Sequence, residues 1–178
     1  MKLLVISTSL RPKSNSEALA KEFARGASDA GHEVEIISLR GKQIQFCKGC
    51  LACQNTQKCV IKDDAPDIVA KMHDADAIAF ATPIYYYEMS GQMKTLLDRA
   101  NPLYSSDYRF RNIYLLTTAA EDETQVPQYA ICGLTGWVEC FEKAHLTGTV
   151  FAGGVNDMGE IEGHKVLQEA YNMGKQIK

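Results

Sequence analysis

Four of the six cysteines fall within thirteen residues, as Cys47, Cys50, Cys53 and Cys59. Thiolates at i, i+3 and i+6 on one loop, with a fourth close behind, form the donor set that an iron-sulfur cluster or a zinc ion takes. The same run also reads as free thiols, or as thiols of which some oxidise to a disulfide. A second group suits an anion: the stretch Ser7-Thr8-Ser9-Leu10-Arg11-Pro12-Lys13-Ser14-Asn15-Ser16 gathers hydroxyls, an amide and two cations ahead of a helix start. Ser9, Ser14, Asn15 and Ser16 offer hydrogen bonds to a phosphate, Arg11 offers charge, and the helix N-terminus offers its N–H groups. The competing reading is a surface turn with a good N-cap. The stretch lacks the glycine spacing of dinucleotide and P-loop motifs, which argues against NAD in a Rossmann site and against ATP.

Two further stretches carry less specific signals. Between Thr82 and Lys94, three consecutive tyrosines, Tyr85, Tyr86 and Tyr87, cannot all point into a core. With Pro83, Ile84 and Met89 they would wall a flat aromatic ligand, while Ser90 caps the helix that follows. Thr117, Thr118, Ala119 and Ala120 are small enough to let the backbone approach a ligand closely.

Composition narrows the classes. With 19 basic and 22 acidic residues the net charge is -3 and the computed pI about 5.8, so no basic excess exists to neutralise nucleic-acid phosphates or an anionic membrane. The apolar run from Met1 to Ile6 is too short for a secretory signal, and no stretch reaches membrane-spanning length, so the expected location is the cytoplasm. In a reducing compartment, cysteines indicate metal or redox work better than disulfides. Cys132 and Cys140 stand apart and are read as small buried hydrophobes. His32, His73, His145 and His164 have no metal-pair spacing and are read as surface side chains.

The elements that must position these residues alternate between strand and helix. Leu3 to Ile6 is a continuous apolar run, expected as a strand buried on both faces. Ser14 and Glu17 have capping-box spacing and open a helix with Leu19, Phe23, Ala27 and Ala30 on one side, closed by Gly31. Val34 and Ile36 alternate with polar residues as in an edge strand, and Ala77–Ala81, Ile113–Leu116 and Thr149–Ala152 supply three more strands. Further helices are expected after Asp64, after Ser90, around Ala130 to Phe141, where Trp137 packs on the sheet, and around Val166 to Ala170. This βαβ repetition predicts one α/β domain over residues 1–178, a doubly wound five-stranded parallel sheet of order 2-1-3-4-5 with helices on both faces. That order places ligands beyond the carboxyl ends of strands 1, 3 and 4.

The loops SLRPKSNS, TPIYYYEMSGQMK and TTAAE resemble the flavin loops of the flavodoxin-like NAD(P)H-dependent FMN reductases. The likeness extends to LLDRANPLY and to GVNDMGEIEGH, and it departs at Ser7-Thr8-Ser9, where relatives usually carry a Gly-Ser-Pro or Gly-Ser-Leu turn. Within that family the cysteine run resembles the iron-sulfur flavoproteins, in which it holds a [4Fe-4S] cluster. The resemblance implies FMN, with NAD(P)H as co-substrate and hydride passing to the flavin, which then reduces a quinone, an azo or nitro compound, a free flavin or an electron carrier. No side chain need be a general acid or base, because the flavin carries the chemistry. The resemblance, together with the exposed tyrosines, implies a homodimer or a dimer of dimers in which partner residues wall the bare flavin face. The rival from another class is a flavodoxin-like electron carrier without a nicotinamide substrate, and the balanced charge lacks the dense single-sign surface that such carriers use for steering. A zinc-binding module would leave the tyrosine loop unexplained.

Overall fold

The computed structural model describes residues 1–178. Five parallel strands, β1 (Lys2–Ser7), β2 (Glu33–Ser38), β3 (Ala77–Tyr85), β5 (Asn112–Thr118) and β6 (His145–Ala152), run in the order β2-β1-β3-β5-β6. This is the predicted flavodoxin-like order. A two-residue strand, β4 (Glu88–Met89), folds back antiparallel on the end of β3.

Alternation along the central strands separates two cores. Leu4, Ile6, Ile78, Phe80, Ile113 and Leu115 face α3 (Ala65–Asp74), α4 (Gly91–Arg99) and α5 (Gln128–Val138). Leu3, Val5, Ala77, Ala79, Ala81 and Leu116 face α1 (Asn15–Asp29) and α6 (Val166–Lys175). Trp137 packs on the first of these cores, 6.0 Å from Phe80. On the second face α1 and α6 meet backbone to backbone: a Cβ on Gly26 would lie 2.0 Å from the Tyr171 carbonyl oxygen, and one on Gly174 2.0 Å from that of Phe23. Glycine at both positions is what lets the last helix lie against the first. No helix is long and apolar enough to cross a membrane.

Several expectations are corrected. Ala30 caps α1 in an exposed position instead of joining its buried side. On the edge strand β2, Ile36 is exposed and Ile37 is the buried residue. β3 runs four residues past Ala81, because Thr82 to Tyr85 continue into the hairpin with β4. Cys132 and Cys140 are exposed on and just beyond α5, since its buried stripe is Ala130, Leu134 and Val138. A short helix within the cysteine run, α2 (Ala52–Thr56), and a 3-10 turn at Asn101–Leu103 carry no apolar period and were not anticipated.

Candidate functional site

The three loops singled out from sequence converge at the carboxyl edge of the sheet. Two adjoining hollows, of about 120 and 180 Å³, share Ile84, Ala119 and Ala120 in their walls. The first sits at the β1/β3 switch point and is bounded by Ser9, Arg11, Ser14 and Asn15 on one side and Pro83, Tyr85 and Thr118 on the other. The second is walled by Tyr86, Tyr87, Glu121 and Val126.

On the anion side the hydroxyl and amide side chains are buried and already hydrogen-bonded within the protein. Ser14 caps α1, its Oγ accepting from the Glu17 N–H at 3.4 Å and pairing with Ser16 Oγ at 2.9 Å. Only this half of the capping box forms, because the Glu17 carboxylate turns to Lys21. Ser9 Oγ accepts from the Arg11 N–H at 3.3 Å. Ser16 is fully buried behind Ser14 and does not wall the hollow. Asn15 does, but its amide is committed elsewhere: Nδ2 donates to the Asp157 carbonyl at 2.9 Å and Oδ1 accepts from the Ile161 N–H at 3.3 Å.

The tyrosine loop is a strained hairpin turn. Tyr86 and Tyr87 both have left-handed backbone, with φ of 51° and 65°, in a two-residue turn closed by pairing of Tyr85 with Glu88. Such a turn normally takes Asn-Gly, and bulky residues in it store strain. Tyr86 is fully exposed, while the Tyr87 hydroxyl donates to Glu121 Oε2 at 2.6 Å. That bond to a carboxylate raises the Tyr87 phenol above its ordinary value.

Three of the expected residues lie behind the hollows. Met89 is buried in the core against Gly133. Ser90 caps α4 and shares hydrogen bonds with Thr8 and Thr82. Thr117 Oγ1 donates to the Val150 carbonyl at 3.2 Å. Conversely, Val126 walls the site from outside every quoted stretch, while Glu121, Val155 and Asn156 wall it from within TTAAE and GVNDMGEIEGH without having been named as ligand residues. Val155 and Asn156 belong to the loop after β6, the neighbour of β5 at the same edge, and the turn residues Gly153-Gly154 and Asn156-Asp157 were its signal.

The cysteine loop lies apart, between β2 and α3. Its stems are joined by one buried guanidinium. Arg99, at the end of α4, donates to the Gln45 carbonyl at 2.8 Å upstream of the cysteines, and to both Asp63 oxygens, at 2.6 and 2.9 Å, downstream. Its hydrogen bonds to Asp63, against burial and helped by Cys59, hold this guanidinium above its ordinary value. All six thiols are free, and no three Cys, His, Asp or Glu side chains stand close enough to share an ion. The donor chemistry nonetheless suits anionic sulfur. Cys47 Sγ accepts from the Gly49 N–H at 3.4 Å, Cys53 Sγ accepts from Asn101 Nδ2 at 3.1 Å, and Cys59 lies beside Arg99. A cavity of about 540 Å³ opens here between the cysteine loop, α3 and the 3-10 turn. It includes no residue of the switch point and is distinct from the edge hollows.

The model of the NADPH-dependent FMN reductase family matches residues 1–139. An iron-sulfur flavoprotein of Methanocaldococcus jannaschii is 41% identical over 103 residues, covering 58% of this chain and 53% of its own length. One from Archaeoglobus fulgidus is 41% identical over 112 residues, covering 63% and 55%. The match thus spans about half the length of these curated relatives. In three dimensions the chain shares its fold with an NAD(P)H:quinone oxidoreductase from Methanothermobacter marburgensis, with a TM-score of 0.73 at 18% identity over 100% of this chain and 99% of that one.

Proposed function

We propose that this chain, which belongs to the NADPH-dependent FMN reductase family, is an FMN-containing oxidoreductase that takes electrons from NAD(P)H. The observation that carries the reading is the meeting of the Ser9–Ser16 loop, the Pro83–Tyr87 loop and the Thr118–Ala120 loop around one depression at the switch point. The whole span of residues 1–178 acts as one flavin-binding unit in this reading.

The residues present suit FMN. Ser9, Ser14 and Arg11, with the N–H groups that open α1, would hold the phosphate. Ile84, Ala119 and Ala120, shared by both hollows, would seat the ring edge, with Tyr86 and Tyr87 as its outer wall. Bound FMN would supply hydride acceptance and onward electron delivery. The chain's own contribution is binding, orientation and exclusion of water. The exposed Tyr85, Tyr86 and Tyr129 are the surface that a second copy would cover in a homodimer or a dimer of dimers, completing that wall. The acceptor class is a quinone, an azo or nitro compound, a flavin or an electron carrier.

A second element of the reading concerns the cysteines, which we propose hold a [4Fe-4S] cluster through Cys47, Cys50, Cys53 and Cys59. Their spacing, the N–H donors aimed at two of the sulfurs and the names of the two relatives support it. The test is to isolate the protein without oxygen, titrate it with FMN, then add NADH or NADPH. Retention of FMN with rapid bleaching of its visible absorbance is expected. Protein that retains no FMN, or in which bleaching is no faster than with free FMN, would sink the reading.

A further inference from the structure

Arg11 is the cation in the wall of the anion hollow, yet its side chain is exposed and long, so something must aim it. Its Nη1 donates to the Asn156 carbonyl at 2.6 Å, in the loop after β6. That loop is pinned in turn. Glu160 Oε2 accepts from the backbone N–H groups of Asn156, at 2.6 Å, and Asp157, at 2.9 Å. Buried Asn15 grips the same loop from the opposite side, through the Asp157 carbonyl and the Ile161 N–H. Two side chains therefore fix the loop at residues 156, 157 and 161, and the fixed carbonyl of Asn156 orients Arg11.

We infer that Glu160 is a positioning residue for phosphate recognition: by pinning the Asn156–Asp157 turn it aims Arg11, and so favours a flavin that ends in a phosphate over one that ends in a hydroxyl. This rests on the FMN reading above. The argument is one of charge. Glu121 walls the neighbouring hollow, and Asp157 and Glu160 stand on the loop itself, so a phosphate dianion meets carboxylates nearby and Arg11 as the one cation in the wall. If Arg11 swings free, a ligand bearing the dianion loses its counter-charge. A neutral ligand that uses only the ring walls loses nothing. Glu160 is exposed and bonds only to this turn, so its removal leaves both cores intact. Its two accepted N–H bonds hold the carboxyl below its ordinary value, as expected of an acceptor in use at neutral pH.

The test compares FMN with riboflavin, which has the same ring and no phosphate, by titrating the full chain and following ligand fluorescence. In Glu160→Ala, FMN should bind about tenfold more weakly, the loss of one charge-assisted contact, while riboflavin stays within about twofold. Arg11→Ala should show the same split, and the double variant should be no weaker for FMN than Arg11→Ala alone, because both act through one contact. Equal weakening of both flavins in Glu160→Ala, or a double variant in which the two losses add, overturns the inference. So does an unchanged preference for FMN in Glu160→Ala when the wild type prefers FMN over riboflavin, and there the FMN reading survives. A wild type that binds neither flavin, or both equally, removes the FMN reading and this inference with it.

Discussion

The loop between β1 and α1 buries its hydroxyl side chains, whereas the loop between β2 and α3 leaves two of its four thiols exposed and a third half-exposed. Ser9, Ser14, Asn15 and Ser16 are each at most 7% exposed; Ser14 pairs with Ser16, Ser9 accepts from the Arg11 N–H, and Asn15 bonds to the loop after β6. Cys47 and Cys50 are exposed and only Cys53 is buried. In the FMN reading the first loop is a finished receptor, whose polar side chains are held in place by the protein alone. The second is tied at its stems by Arg99 and Asp63, and in the cluster reading its middle is left for the metal to gather. Protein-built preorganisation and ligand-driven closure thus sit on one fold.

The largest effect should come from the cysteine side. Protein reconstituted without oxygen in the presence of iron and sulfide should hold about four irons per chain. Changing any one of Cys47, Cys50, Cys53 or Cys59 to serine should strip most of them while FMN affinity stays unchanged. Cys132→Ser and Cys140→Ser should keep full iron, and trace iron in the wild type would end the cluster reading.

Next is the stem. Arg99 is wholly buried and Asp63 nearly so, and removing one member of a buried pair costs about 3 to 5 kcal/mol because the other charge is stranded. Urea unfolding of Arg99→Leu should show a loss of this size, and one below about 1 kcal/mol would mean that the stem is held by something else. The pair has a pH signature. Burial pushes the Asp63 carboxyl up, but Arg99 and the backbone N–H groups of Gln45 and Ala65 outweigh it and leave it below its ordinary value. Its stabilising contribution is present above the unfolded value, about 3.9, and is lost as pH falls through the lower folded value. The stability gap between wild type and Asp63→Asn should therefore be widest near neutrality and narrow in acid.

The phosphate side should respond more gently. Ser14→Ala removes the N-cap of α1 and the partner of Ser16, a loss of about 1 kcal/mol in unfolding free energy, together with weaker FMN binding. Equal FMN affinity in this variant would place the phosphate outside the β1 loop. Smallest and opposite in sign is the tyrosine turn. Tyr86→Gly relieves a left-handed backbone and should stabilise the chain by about 0.5 to 1 kcal/mol while weakening flavin binding. A destabilised variant would mean that the exposed ring contributes more than its strain removes.

Much of this contrast was legible in the residues. The strand order followed from apolar runs alternating with capped helices, and the three edge loops followed from that order, because a parallel sheet offers its ligands one edge. What stayed hidden depended on long-range partners. Nothing local in Asn15 reveals that its amide holds residues 157 and 161, or in Arg99 that it joins two stems far away in sequence. Met89 reads as a ring wall by proximity to the tyrosines, yet the hairpin turns its side chain into the core. The exposure of Cys132 was obscured because cysteine fits either face of a helix, and only the position of α5 on the sheet decides between them.

The pinning of the anion hollow by residues 156 to 161 also bears on how the molecule is made. Arg11 and Asn15 leave the ribosome well before their partners, which lie about 145 positions later, and α6, against which α1 packs, comes later still. A nascent chain can pair β1, β2 and β3 while the loop after β6 is still being synthesised, so the phosphate end of the site closes last. In the FMN reading, flavin capture then waits for residues 156 to 161 to emerge. Where flavin is scarce, folded chains would stand empty at the edge, held in readiness by the Ser14–Ser16 bond and by the bonds of Asn15 to the loop after β6.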